Sequence, residues 1–308
     1  MAKSVLSAAH LQDEAAAFAY LEGLLWPKGP VCPHCGERKR VNRLNGSATR
    51  PGLHKCYACK KQFTVRMGTI FESSHLPLHL WLQVIHLFAS SKKGVATRQI
   101  QRLLNCSMKT AWFLGHRIRE AMAEGFDVFT PPLGGAGRTL EADDAYIGRD
   151  GSKKLAGPGP QLPVVALVER QGHVRSFHVA NVNANTIGNI LAKHADPASN
   201  FMTDGGSPYR SFGWNFNFHG VVGHKRGEYV SKQDRTIHTN TVEGYFSLIK
   251  RGIVGVFHHV SEAHLGRYLS EFDFRQNTRA KLGFSDTDRA QLMVLATRGK
   301  RLTYRTTG

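Results

Sequence analysis

Four of the five cysteines form two knuckles, Cys32-Pro-His-Cys35 and Cys56-Tyr-Ala-Cys59, with 20 residues between them. Each knuckle presents two thiols on one tight turn, and two such turns close a tetrahedral sulfur site suited to structural Zn²⁺. His34 and His54 lie close by in sequence, but four thiolates already complete the shell. Cys106 stands outside the pattern and is expected as a small buried apolar residue. The run Arg38-Lys39-Arg40 falls between the knuckles, so the module either touches a polyanion or serves only as a zinc staple.

A second set of residues is acidic. Cutting a phosphodiester needs a nucleophile and a stabilised leaving oxygen, and two divalent ions about 3.5–4 Å apart supply both. Mg²⁺ takes hard oxygen ligands and keeps waters, so a few carboxylates suffice. Asp143 lies in Leu140-Glu-Ala-Asp-Asp-Ala-Tyr146, on an expected strand. Asp204 ends Phe201-Met-Thr and runs into Gly205-Gly206, which suits an exposed site loop. Glu243 lies on an expected helix; Lys250 is two turns further on, and Asn240 three residues earlier, near the same face. A carboxylate for metal and a lysine for phosphate on one helix face suit a polynucleotide substrate.

The elements that must position these groups follow from periodicity and breakers. Ala9–Leu25 reads as a helix, ended by Trp26-Pro-Lys-Gly-Pro30. Helical patterns follow the cysteine module at Pro77–Ser90, Ala96–Leu104 and Met108–Glu124. The second and third resemble a helix-turn-helix, with Ser107 placed to cap. That would offer Arg98, Lys109, Thr110, His116, Arg117 and Arg119 to DNA. Pro131–Gly137 is a linker by composition. Beyond it, Arg138–Ile147, Leu162–Glu169, Val174–Ala180, Ser199–Thr203 and Asn217–Val222 read as strands, and Asn185–His194, Asn240–Arg251 and His264–Gln276 as helices. The expected class is α/β: residues 1–30 an N-terminal helix, 31–67 a zinc ribbon, 68–130 a helical DNA-binding region, 138–282 a mixed-sheet domain, and 283–308 a C-terminal helix with a basic tail.

Charge points to the partner. The 308 residues carry a net charge of +18. Between Gly23 and Arg119 there are 17 Lys/Arg against Glu37 and Glu72 alone, a surplus of 15. So dense a basic segment would track phosphates by displacing counterions, with Arg38, Lys39, Arg40, Arg98, Lys109 and Arg117 as the candidate contacts. No apolar run approaches the ~18–20 residues of a membrane span, and the N-terminus lacks a signal-peptide apolar core, so a cytoplasmic protein with no membrane partner is expected.

The order of motifs, CPHC, CYAC, LEADDAYIG, FMTDG and HTNTVEGYFSLIKRGIVGVFHHVSEAHLGRYLSEFDFRQNTR, closely resembles the ISXO-like insertion-sequence transposases of bacteria. The resemblance runs from about Phe18 to Arg279. It implies an RNase H-like catalytic domain with an Asp-Asp-Glu triad and a following lysine, which fall on Asp143, Asp204, Glu243 and Lys250. Some members carry Asn as the third residue, here Asn240. The family's first motif usually has one Asp followed by Glu; the doubled Asp143-Asp144 leaves either as the first ligand. Gly148–Gln161, where relatives often carry a longer basic loop, is short and rich in Pro and Gly. Further implications are two Mg²⁺ (or Mn²⁺) ions, double-stranded DNA as partner (terminal inverted repeats and target), and a dimer that pairs two ends. The implied reaction is in-line attack by water, then by the freed 3′-OH on target DNA. The competing readings are a zinc-ribbon DNA-binding protein with an inactive or repurposed nuclease domain, and a zinc-ribbon nuclease of another purpose.

Overall fold

The computed structural model describes residues 4–123, 131–147, 162–223 and 229–302. The short Gly148–Gln161 stretch lies outside the described residues. The chain divides into two compact units, one of Met1–Ser91, Val95–Met122 and Phe284–Gly308, the other of Lys92–Gly94 and Ala123–Gly283.

In the first unit, helix α1 (Glu14–Leu25) begins later than periodicity predicts. Asp13 accepts the Ala16 N–H at 2.7 Å and caps it, while Ala9–Leu11 forms a separate 3-10 turn. Strands β1 (Val41–Arg43), β2 (His54–Cys56) and β3 (Gln62–Phe63) make an antiparallel meander in that order. Helices α2 (Leu78–Ser90), α3 (Thr97–Leu104) and α4 (Met108–Met122) follow. Asn105, at φ 47°, ends α3 in the left-handed region, and the Ser107 hydroxyl accepts the Thr110 N–H at 3.1 Å to start α4.

Residues Leu114–Arg119 of α4 are all buried, which corrects the expectation that His116, Arg117 and Arg119 face DNA. The Arg117 guanidinium lies over the rings of Trp81 and Phe113, at 5.6 and 5.2 Å, and donates to the Glu72 carbonyl. Arg119 lies over Phe88 at 5.3 Å. Both cations are held by aromatic faces instead of water.

Helix α9 (Asp286–Leu295), numbered last in the chain, closes this unit. Ser285 and Asp288 form its capping box, and the Arg289 Nε donates to the Ala89 carbonyl at 2.8 Å.

The second unit holds strands β4 (Leu133–Gly134), β5 (Thr139–Ile147), β6 (Leu162–Glu169), β7 (Val174–His178), β8 (Ala195–Asp196), β9 (Asn200–Thr203) and β10 (Phe218–Val221). Its helices are α5 (Ala184–His194), α6 (Ser207–Arg210), α7 (Asn240–Gly252) and α8 (Glu262–Asn277). Five strands form one sheet in the order β10-β9-β5-β6-β7. The strands β10, β9 and β5 run parallel, and β5, β6 and β7 antiparallel. This is the expected mixed RNase H-like sheet.

Both faces of the sheet are covered. Ala145, Val164, Ala166 and Val168 pack against Val242, Phe246 and Phe272 of α7 and α8. Leu140, Ala142, Val165 and Leu167 pack against Ile187, Leu191 and Tyr209 on the other side. Burial on both faces is why β6 reads as a nearly unbroken apolar run. At the β7 edge, α8 supplies the missing partners: Asp273 accepts the Ser176 N–H at 2.9 Å, and Asn277 bonds both the N–H and C=O of Val174. No helix among the described residues is long and apolar enough to cross a membrane.

Candidate functional sites: a sulfur cluster and a carboxylate pocket

The sulfurs of Cys32, Cys35, Cys56 and Cys59 lie within 4.8 Å of one another. The Cys32–Cys59 and Cys35–Cys56 separations are 3.7 and 3.6 Å. A tetrahedron with Zn–S bonds of about 2.3 Å has edges of about 3.8 Å, so the four residues fit Zn²⁺. The N–H groups of Cys59 and Ala58 lower the Cys56 thiol, while the hydrogen bonds shared with the other three sulfurs raise Cys35. Beneath the sulfurs, Trp26, His54 and Phe63 form an aromatic cluster. His54 is thus a core residue, bonded at Nδ1 to the Gly52 carbonyl.

In the second unit, the last β5–β9 register pair is Glu141 with Met202. Asp143 and Asp204 each lie two residues beyond that pair, at the same end of adjacent parallel strands, and the Asp204 charge acts on the Asp143 carboxyl. Gly205, at φ +77°, turns the chain at once, and a Cβ there would strike Val221. The Asp204 Oδ1 accepts the Gly206 N–H at 2.9 Å.

The pleat separates the doubled aspartates. Asp143 shares its face with Ala145, which packs on α7; Asp144 shares its face with Ala142 and accepts the Tyr209 hydroxyl at 3.2 Å. Glu243 reaches the same end of the sheet from α7. Asp143, Asp144, Glu243, Phe246, Ser247, Lys250 and Arg251 line one open pocket of about 300 Å³. Burial, then the Asp204 charge, with smaller contributions from Asp144 and Glu243, outweigh the Asp144 N–H and push the Asp143 carboxyl up to about 7. Burial likewise raises Asp144, against the Tyr209 hydroxyl. Crowded hard-oxygen donors around a half-buried carboxyl fit a divalent cation, whose charge would offset their repulsion. Among the described residues the four cysteines are the one set of three or more such donors whose atoms all lie within 4.8 Å of one another; Asp143, Asp204 and Glu243 do not form such a set. Asn240 is exposed at the first turn of α7 and does not line the pocket.

Sequence reasoning missed the groups that hold α7 in place. Glu141, fully buried, accepts the N–H groups of Thr241 and Val242 at 2.8 and 2.9 Å. Arg170, from the β6–β7 turn, donates Nε to Glu141 at 2.6 Å and spans to the carbonyls of Thr236 and His238. The Thr239 hydroxyl donates to Glu243 Oε1 at 3.0 Å. The available signal was Glu141 itself, an acid two residues before Asp143 on the same face of a mostly apolar strand.

Of the residues expected to meet DNA, Arg38, Lys39 and Arg40 are exposed. Their backbone N–H groups wrap the Glu37 carboxylate at 2.8, 2.7 and 3.4 Å, which turns the loop outward. Arg98 is exposed on α3 and bonds Gln101. Lys109 is exposed at the start of α4, whereas Arg117 is buried as described. Cys106 is half-buried instead of fully buried.

A cysteine-bearing ribbon, a helical region and a mixed five-stranded sheet with carboxylates at adjacent strand ends define the DDE class of transposase architecture. Residues 132–277 match the ISXO2-like transposase domain, and residues 12–62 match the transposase zinc-ribbon domain. The chain belongs to the ISXO2-like transposases that carry a zinc ribbon. It is also 27% identical, over 88% of its length and 93% of the relative's, to an uncharacterized protein in transposable element ISH50 of Halobacterium salinarum.

Proposed function

We propose that this protein is a DNA transposase that cuts DNA at the ends of an insertion sequence and joins the freed ends to a target. The convergence of Asp143, Asp204 and Glu243 at one end of the sheet, with Asp143 pushed up to about 7 by burial and its acidic neighbours, carries this reading. These three would hold two Mg²⁺ or Mn²⁺ ions, which would supply activation of the attacking oxygen and neutralise charge on the leaving one. Lys250 and Arg251, on the same pocket wall, would bind and orient the scissile phosphate. Asn240, one turn before Glu243, would contact the substrate from the pocket margin. Asp144, whose Oδ1 accepts the Tyr209 hydroxyl, is proposed not to be the first ligand although it borders the same pocket. Arg38, Lys39, Arg40, Arg98 and Lys109 would bind phosphates of double-stranded DNA, and the four cysteines would hold one structural Zn²⁺. Joining two ends requires two active sites in one reaction complex, hence at least a dimer.

The test is incubation of the full chain with supercoiled DNA carrying the element's terminal repeats and Mg²⁺ or Mn²⁺. Metal-dependent 3′-OH ends followed by strand joining are expected, and Asp143→Asn should abolish both while DNA binding persists. Binding without cleavage would make the protein a DNA-binding module. Cleavage that never proceeds to joining would make it a nuclease of another kind.

A further inference from the structure

Glu141 is a fully buried carboxylate that cannot reach solvent or substrate, so its role lies in what it holds. Each of its oxygens has two donors. Oε2 accepts the Thr241 and Val242 N–H groups at 2.8 and 2.9 Å. Oε1 accepts the Thr241 hydroxyl at 2.8 Å and the Arg170 Nε at 2.6 Å. With four donors committed, it has little capacity left to ligate a cation. Its donors include two of the N–H groups that the α7 backbone leaves unpaired at its first turn, where a negative charge is also favoured by the helix dipole.

We infer that Glu141, together with Arg170 and Thr239, is a positioning device for Glu243 that sets how tightly the carboxylate pocket holds a divalent cation; this rests on the proposed role of Asp143, Asp204 and Glu243. The geometry is short-range throughout. Glu141 and Asp143 are two residues apart on one face of β5, so the strand that presents one carboxylate to the pocket also fastens the helix that presents another. The bonds from Glu141 end at Val242, the residue immediately before Glu243. Arg170 holds the chain entering the helix through the Thr236 and His238 carbonyls at 2.7 and 2.8 Å. Thr239, itself buried, then orients the Glu243 carboxylate directly at 3.0 Å. The rotation of α7 about its axis and the direction of the Glu243 oxygens are thereby both specified. Like-charged carboxylates brought to one end of a sheet need such fixed supports if a cation is to find them aligned. Partners of this kind behind metal ligands typically change affinity about 10–100-fold.

The test measures Mn²⁺ binding to the zinc-loaded full chain by electron paramagnetic resonance of free Mn²⁺, without DNA. Glu141→Gln keeps the shape, loses the charge opposite Arg170 and should weaken Mn²⁺ about 10–100-fold. Raising Mn²⁺ should then restore its DNA cleavage, which no concentration should do for Asp143→Asn. Thr239→Val should weaken Mn²⁺ and Thr239→Ser should not, a contrast that decides the matter if Glu141→Gln fails to fold. Wild-type Mn²⁺ affinity in both Glu141→Gln and Thr239→Val, with Asp143→Asn impaired, would overturn the positioning role and leave the carboxylate site standing. Wild-type affinity in Asp143→Asn would instead remove the carboxylate site and the inference with it.

Discussion

The two candidate cation sites of this chain are built in contrasting ways. The four sulfurs come from two tight turns of one small ribbon and already sit at tetrahedral spacing, 3.6 and 3.7 Å across two edges. The carboxylates come from two neighbouring strand ends and a helix, 100 residues apart from Asp143 to Glu243; Asp143 and Glu243 line an open pocket of about 300 Å³, and Asp204 lies outside its lining. A closed thiolate shell excludes further ligands and does structural work. An open set of carboxylates leaves room for substrate oxygens and costs stability until a cation arrives. One site is stabilised by its own geometry, while the other is held together against its own repulsion by Glu141, Arg170 and Thr239.

That contrast can be broken most forcefully at the ribbon. Cys56→Ala, or zinc chelation, should unfold it, because structural zinc supplies roughly 10–16 kcal/mol in small zinc modules. Loss of zinc stoichiometry and of proteolytic protection across Cys32–Cys59 would report it; a ribbon that stays protected without zinc would end the comparison.

Asp143→Asn should act in the opposite sense on stability. Strand cleavage should fall by at least about 10²–10³-fold, as when an aligned electrostatic group is lost. The metal-free protein should nevertheless become more stable at pH 8. The sign follows from the folded-state value of about 7, raised above the ordinary carboxyl range. The folded state binds this proton more tightly, so the Asp143 contribution is most favourable below about pH 4 and is lost as pH rises to about 7. Thermal unfolding of zinc-loaded wild type and Asp143→Asn against pH, in buffer without Mg²⁺ or Mn²⁺, measures the difference. Equal slopes would mean that neither burial nor the neighbouring carboxylates raise Asp143 in the folded state.

The basic residues sharpen the comparison at a smaller scale. Replacing Arg38, Lys39 and Arg40 together by Ala should lower the salt slope of DNA binding by up to about 2.7, near 0.9 per phosphate contact. Arg117→Ala should leave that slope unchanged and instead destabilise the first unit by about 2 kcal/mol, as a desolvated cation–aromatic contact is lost. Reversal of the two results would return Arg117 to the DNA surface.

How much of this was legible in the sequence tracks the same divide. The cysteine knuckles are local, so spacing alone predicts their chemistry. The strand β5 and the helix α7 are legible from alternation and helical spacing. What spacing cannot convey is which cations fold inward. Arg117 and Arg119 look like DNA contacts by residue type, but aromatic rings from α2, distant in sequence, claim them. Nor does the chain announce that Asp144 meets Tyr209, 65 residues away, while Asp143 lies on the other side of the pleat of β5. Glu141 escaped notice because its partners lie about 30 and 100 residues downstream. The return of α9 to the first unit likewise depends on long-range packing that no local pattern announces.

The sharing of cations by Asp143, Asp204 and Glu243 can be tested without DNA by letting Fe²⁺ occupy the site in the zinc-loaded protein and generating hydroxyl radicals from added hydrogen peroxide, with ascorbate to recycle Fe³⁺ to Fe²⁺. Backbone scission is expected beside residues 143, 204 and 243, suppressed by excess Mg²⁺ and absent in Asp143→Asn. Scission confined to one of these segments, or scattered elsewhere and indifferent to Mg²⁺, would contradict a shared site.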